Sequence, residues 1–206
     1  VSDTAGSLNR ELRDIKPITD PPPEFGRFIA AVRRLQDATV SADPDAALWA
    51  AAAQQVESVC ESLEAHHAPQ VRAPAGRAAT LPGLGHPLIP PWTISELGAD
   101  GVTMQGHFSR FHVGGNNAVH GGVIPLFYDW LFGMIVSAAG RPFSRTAYLH
   151  VDYRKVTPID EPLTATGGIA KIDGRKAYLT ATMSTCDGAV LSEAEALMIR
   201  LLSHQP

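Results

Sequence analysis

The sequence predicts an α+β protein in which an antiparallel sheet wraps one long apolar helix, behind a helical N-terminal region. Three observations carry that prediction. Runs of alternating polarity, separated by turn dipeptides, fill the C-terminal half. A stretch from Phe111 to Gly140 interrupts them, with Asp129 as its single formal charge. Ahead of both stand two segments of helical periodicity and a proline-rich loop. The 206 residues are 45% hydrophobic and 18% charged, enough to build a core and too apolar for a disordered chain. A net charge of −4 leaves no basic excess, which excludes a broad nucleic-acid footprint.

The elements follow in order. Val1 to Lys16 is polar and of mixed charge, so no signal or transit segment is expected there. Asp20-Pro21-Pro22-Pro23 is a stop that a helix does not cross. Glu24 to Ala38 then places Phe25, Phe28, Ile29, Val32 and Leu35 at helical spacing. A second helix is expected from Asp43 to His66, started by Asp43-Pro44, with Leu48, Trp49, Val56, Val59 and Leu63 along one side. His66-His67 falls at its end, where a cation suits the helix dipole, so its role reads as structural. Ala68 to Pro91 holds six prolines and sets a boundary between an extension with its linker, residues 1–91, and a domain at 92–206. Its Gly83-Leu84-Gly85 lacks the third glycine of a nucleotide loop.

Beyond the boundary, Thr93–Leu97 and Val102–Val113 read as strands around Gly98-Ala99-Asp100-Gly101. Residues 145–156 alternate Ala147, Leu149, Val151 and Tyr153 against Thr146, His150, Asp152 and Arg154, a half-buried strand. Three further strands, 163–173, 176–186 and 189–202, are joined by Asp173-Gly174 and Asp187-Gly188, both hairpin signals. Between the two sets, Gly122 to Ala139 is apolar on every side except at Asp129. A bilayer span needs about 20 such residues. This run is shorter, holds an Asp and a Pro, and is flanked by amphipathic strands, so a helix buried in a globular core is expected.

Asp129 carries the most chemical information. A carboxylate among apolar neighbours must be partnered, neutralised or employed. Upstream, His120-Gly121-Gly122 follows Gly114-Gly115-Asn116-Asn117, and these glycines let the backbone turn sharply at a helix start. Free N–H groups there can receive an oxyanion. No Gly-x-Ser-x-Gly elbow follows, which excludes the oxyanion loop of an α/β-hydrolase. Gly121 and Asp129 are roughly 12 Å apart at 1.5 Å per helical residue. A reacting carbonyl must lie about 3 Å from both donor and base. Two antiparallel copies meet that requirement, each lending its helix start to the other's Asp, so a homodimer with shared sites is expected. No His, Cys or carboxylate cluster has metal-ligand spacing, and Cys60 and Cys186 read as reduced thiols of a cytoplasmic protein.

The run Asn116-Asn117-Ala118-Val119-His120-Gly121-Gly122 with Asp129 resembles the signature of hotdog-fold acyl-CoA thioesterases, most closely the PaaI (phenylacetate-pathway) type. Tyr153-Arg154-Lys155 followed by Pro158, and Gly174-Arg175-Lys176 followed by Asp187-Gly188, resemble that family's later strand end and hairpin. The resemblance spans residues 92–203 and implies a hotdog fold. It also implies hydrolysis of acyl-CoA, with Asp129 as general base or nucleophile and the Gly121 N–H as oxyanion donor from the other subunit. His120 shapes the loop and Thr146 orients water in that scheme. Asn116, Asn117, Gly122, Arg154, Lys155, Arg175 and Lys176 are the candidate substrate contacts, the basic ones for CoA phosphates. The Asn that bacterial members carry six residues before the His is Gly114 here. Thr146 shares strand parity with His150 and Asp152, so it must reach the site from an edge or dimer seam. No metal or other cofactor is implied, coenzyme A being part of the substrate. The partners implied are acyl-CoA and further copies of the chain, as a homodimer or dimer of dimers, with no nucleic acid and no membrane. Two rivals stand beside this reading: a hotdog hydratase or dehydratase, whose His and Asp are spaced differently, and a non-catalytic acyl-CoA-binding module, against which Asp129 argues.

Overall fold

A computed structural model describes residues 16–202; the polar N-terminal segment read above lies outside the described residues, Lys16 apart. Helix α1, Pro23–Ser41, starts on the proline run, whose last member occupies the first helical position where a missing N–H is harmless. Helix α2, Ala46–Glu64, is capped by Asp45, whose side chain accepts from the Leu48 N–H at 2.8 Å. The cap is therefore Asp45 rather than Asp43-Pro44, because Asp45 is the residue whose carboxylate reaches the first free amides. His66 and His67 lie past the end of α2, in a closing turn.

The proline-rich segment after α2 is packed, not loose. Arg33 on α1 donates to the carbonyls of Ile89 (3.0 Å), His86 (3.1 Å) and Pro82 (3.3 Å), and burial lowers its pKa. Gly83 and Gly85 take positive φ in a tight 3₁₀ turn, Pro82–Gly85, and both are buried beneath α1. The Asp37 carboxylate accepts from the Phe111 N–H at 2.8 Å, which ties α1 to the segment that leads toward His120.

Six antiparallel strands form one sheet. In chain order they are β1 (Thr93–Gly98), β2 (Gly101–Gly106), β5 (Ser144–Tyr153), β6 (Leu163–Asp173), β7 (Lys176–Thr185) and β8 (Val190–Arg200). Their spatial order is β1-β2-β6-β7-β8-β5, which leaves β5 at one edge. Two short strands, β3 (Val113–Gly115) and β4 (Ala118–Val119), make a separate hairpin. Helix α3, Val123–Ala138, lies on the concave face of the sheet. Ile124, Phe127, Tyr128, Leu131, Phe132, Ile135 and Val136 point into the core from one side of it, the spacing of a single helical stripe. Trp92 and Phe127 meet there with ring centroids 4.3 Å apart. Burying large side chains of this kind is worth roughly 1.5–3 kcal/mol each.

Two expectations change. Val102–Val113 is not one strand: β2 ends at Gly106, where an added Cβ would fall within 2.8 Å of the Trp92 backbone and ring. The chain then turns so that Phe108 is buried, and Ser109 caps a 3₁₀ turn at Arg110–His112. Helix α3 is not buried all round either. One sheet covers one side of it, and the opposite side leaves Asp129 and Ser137 exposed, with Pro125 and Gly133 half-buried in the same row.

Candidate active site

Asp129 projects from the open side of α3, and Thr146 on β5 donates its hydroxyl to Asp129 Oδ1 at 2.7 Å. Strict alternation would turn Thr146 away from the helix. A bulge corrects this. Thr146 pairs with Met198 and Tyr148 with Leu197, so two steps on β5 match one on β8 and Ala147 is the extra residue. The buried Met198 faces the core, and Thr146 beside it takes the same face. The bond uses one oxygen of Asp129 and leaves Oδ2 without a partner among the described residues.

The glycine loop is built at the other end of α3. The β3–β4 hairpin turns through Asn116 and Asn117, with φ of 52° and 55°, the left-handed pair that asparagine tolerates. Both are exposed, and Asn117 Oδ1 accepts from Arg110 at 3.0 Å, so this pair shapes a turn. The His120 N–H donates to the His112 carbonyl at 2.8 Å. His120 Nδ1 accepts from the Gly122 N–H at 3.0 Å, which occupies the Gly122 amide. The Gly121 N–H makes no hydrogen bond among the described residues. Its carbonyl accepts from the Tyr153 hydroxyl at 2.7 Å. Tyr153, at the end of β5, was absent from the candidates named from sequence, although the aromatic at that strand end was part of the motif. An open cleft of about 470 Å³ runs along Val119, Gly121, Ile124, Tyr153, Arg154 and Lys155.

The remaining candidates divide. Arg154 and Lys155 line the Gly121 cleft. Arg154 also pairs with Glu193 (2.6 Å) and Asp152 (3.0 Å) on the outer sheet face, and the Glu193 contact raises its pKa further. Such exposed pairs are weak and exchange easily. Arg175 and Lys176 stand at the β6–β7 turn, beside Arg200 and the start of β5, the end of the strand that carries Thr146. The structure thus gathers Asp129 with Thr146, and Gly121 with His120, Tyr153, Arg154 and Lys155. It does not join the two groups within one chain. A larger depression of about 500 Å³, lined by His107, Asp160 and Cys186, contains neither group.

Comparison with known proteins bears on this arrangement. A family model described as the thioesterase superfamily matches residues 116–192, which include Asp129, Gly121 and Thr146. Rat acyl-coenzyme A thioesterase THEM4 is 34% identical over 89 residues, 43% of this chain and 38% of that protein. The mouse protein of the same name is 33% identical over the same lengths. The chain therefore spans about two-fifths of the length of the curated relatives it matches. The crystal structure of a hypothetical thioesterase from Streptococcus pneumoniae, solved with coenzyme A, shares the fold at a TM-score of 0.50 and 18% identity, over 52% of this chain and 86% of its own. The crystal structure of a thioesterase superfamily protein superposes at a TM-score of 0.74 with 30% identity, over 89% of this chain and 93% of its own. That coverage cannot be reached without the N-terminal helical region. The sheet curled over α3 is accordingly a hotdog fold, and this chain belongs to the thioesterase superfamily.

Proposed function

We propose that the protein hydrolyses acyl-CoA thioesters, with Asp129 as general base and the Gly121 N–H of a second copy as oxyanion donor. The observation that carries the reading is the Asp129 carboxylate, set on the open side of α3 and oriented by Thr146 with one oxygen left for water. Membership of the thioesterase superfamily and the names of the rat and mouse relatives support the substrate class.

The second copy enters through β5. This ten-residue edge strand offers an outer row of unpaired backbone groups, with Tyr148 and Tyr153 about half exposed on it. Antiparallel pairing with its own copy about a two-fold axis at His150 sets Leu149 opposite Val151 and, with the extra residue at Ala147 counted, brings Thr146 of one chain opposite Tyr153 of the other. Tyr153 is bonded to the Gly121 carbonyl, so Gly121 travels with it. Within a single chain the two strand positions are about 20 Å apart. Arg175 and Lys176 lie at the Thr146 end of β5, and pairing adds Arg154 and Lys155 of the other copy. Four basic residues then border one cleft, a fit for CoA phosphates. The division near residue 91, the homodimer or a dimer of them, and the cytoplasmic location belong to the same reading. Two exposed free cysteines, Cys60 and Cys186, support that location.

In the reaction, Oδ2 of Asp129 takes a proton from water as the water oxygen bonds to the acyl carbon. The carbonyl oxygen becomes an oxyanion against the Gly121 amide. Collapse breaks the C–S bond, and the proton held by Asp129 passes to the departing sulfur, leaving acid, CoA and the original carboxylate. No metal or redox cofactor is required for this balance. Release of free CoA, measured across a panel of acyl-CoAs, tests the proposal. Asp129→Asn is expected to lower kcat about 10²–10⁴-fold while the variant keeps its fold and association state, the range ordinary for a general base. Normal turnover by that variant would leave Asp129 a structural residue and end the proposal.

A further inference from the structure

We infer that α2 is an exchanged arm whose apolar stripe docks on the outer face of α1 in a second copy of this chain. Helix α2 has 19 residues and buries none of them. Leu48, Trp49, Val56, Val59 and Leu63 are 39–59% exposed, and Trp49, Ala52, Val56, Val59 and Leu63 repeat at alternating three- and four-residue steps. That is the seam of a helix that packs on another helix. An isolated helix of this length is marginal in water, so the stripe needs a cover.

Charge names the cover. From Asp43 to Glu64 the chain holds Asp43, Asp45, Glu57, Glu61 and Glu64 and no Lys or Arg. Those charges disfavour an anionic lipid surface and favour a basic protein face. The inner side of α1 is occupied: Ile29 is buried, and Arg33 and Asp37 are bonded to the loop and to Phe111. Its outer side shows Phe28 and Leu35, 38% and 45% exposed, one on either side of Ala31, with Arg27 and Arg34 exposed alongside. Arginines border the stripe on α1, while Glu57, Glu61 and Glu64 stand behind the stripe on α2, so opposite charge draws the two helices together without pairing across the seam.

The connection decides between own and foreign α1. Ala42 (ψ 146°) and Asp45 (ψ 167°) are extended, and they carry α2 off its own α1 with no residue of α2 buried against it. Short extended connections of this kind are where chains exchange elements. Two-fold symmetry then gives two seams, each up to about 28 Å long.

The test uses the full chain with Cys186→Ser, which leaves Cys60 on α2 as its one thiol. A second cysteine is placed on the outer side of α1 by Ala31→Cys, Arg34→Cys or Ala38→Cys in turn. After mild oxidation, non-reducing gels and peptide mapping are expected to show a covalent dimer joining α1 of one chain to α2 of the other, dependent on the α1 cysteine. Internal cross-links only, Cys60–Cys60 dimers, or no cross-link at any of the three positions would each overturn the inference. Val56 and Val59 are exposed in the single chain, so Val56→Asp with Val59→Asp spares the fold. That pair is expected to cut the cross-linked fraction about tenfold, because it forces charge into an apolar seam. An unchanged fraction would refute the role of the stripe.

Discussion

Tyr153→Phe separates a residue that holds the oxyanion loop from one that merely caps a strand. The substitution keeps the ring and deletes one hydroxyl, the group that donates to the Gly121 carbonyl at 2.7 Å. A neutral hydrogen bond of this kind is worth about 0.5–1.5 kcal/mol net. The side chain is 53% exposed, so water can replace the lost donor and the ground-state fold gives up little of that sum. The same peptide unit that the bond fixes lies next to the amide proposed to meet the oxyanion. If its alignment matters most when charge develops, the whole 0.5–1.5 kcal/mol falls on the transition state and kcat drops roughly 2- to 13-fold. KM for the acyl-CoA should move little, since the hydroxyl's proton is already spent on the Gly121 carbonyl. Steady-state CoA release gives the kcat and KM split, and thermal melting run in parallel reports stability. A kcat equal to wild type refutes the positioning role. So does a loss of activity that tracks a loss of folded protein, because the effect would then be structural.

Two further outcomes concern the scaffold. Gly167→Ala on β6 should be strongly destabilised, by about 3 kcal/mol, the upper end for overpacking. The new Cβ would sit 2.7 Å from that of Ala181, 2.9 Å from the Thr180 carbonyl oxygen and 2.9 Å from Ile135 Cδ1, and neither of the first two can swing aside. The melting temperature should fall by about 6–12 °C, and an unchanged melt would show that α3 does not press on the sheet there. Burial lowers the pKa of His112 below its ordinary 6.5, so the folded state binds its proton later than the unfolded chain does as pH falls. Stability should be flat above about pH 6.5 and decline as the pH drops through that value toward the folded pKa. His112→Asn should flatten the decline between about pH 5 and 6.5, above the carboxylate range, in melts taken at stepped pH.

Local chemistry was readable wherever a residue acts through its own backbone or its immediate neighbours. Asp173-Gly174 does mark a two-residue hairpin, with Gly174 at φ 55°, and β6 runs over the span its polarity indicated. The apolar helix is where the run from Gly122 placed it, and Asp129 stands out on it by charge alone. What escaped depends on pairings between distant segments. Nothing between Thr93 and Val113 announces that Trp92 closes over Gly106 and ends the strand. Nor does any spacing show that Arg33 gathers three carbonyls and turns a proline-rich loop into a packed one. Tyr153 reads as an ordinary strand aromatic until the fold brings Gly121 against its hydroxyl, 32 positions away.

Thr146 shows why such misses cluster at a site. Alternation assigns it to the solvent side with His150 and Asp152, and for the stretch from Tyr148 onward alternation is obeyed: Leu149 and Val151 pair with the buried Ala196 and Ala194. Only the extra residue at Ala147 reverses the faces, and a bulge is a property of two strands in register rather than of either sequence. Without that slip Thr146 would point away from α3 and Asp129 would lose the hydroxyl that orients it. With it, one edge strand supplies the partner of the acid at its start and the clamp on the glycine loop at its end. Because those ends are about 20 Å apart, a strand pairing with its own copy in antiparallel register is the simplest way for them to serve one substrate.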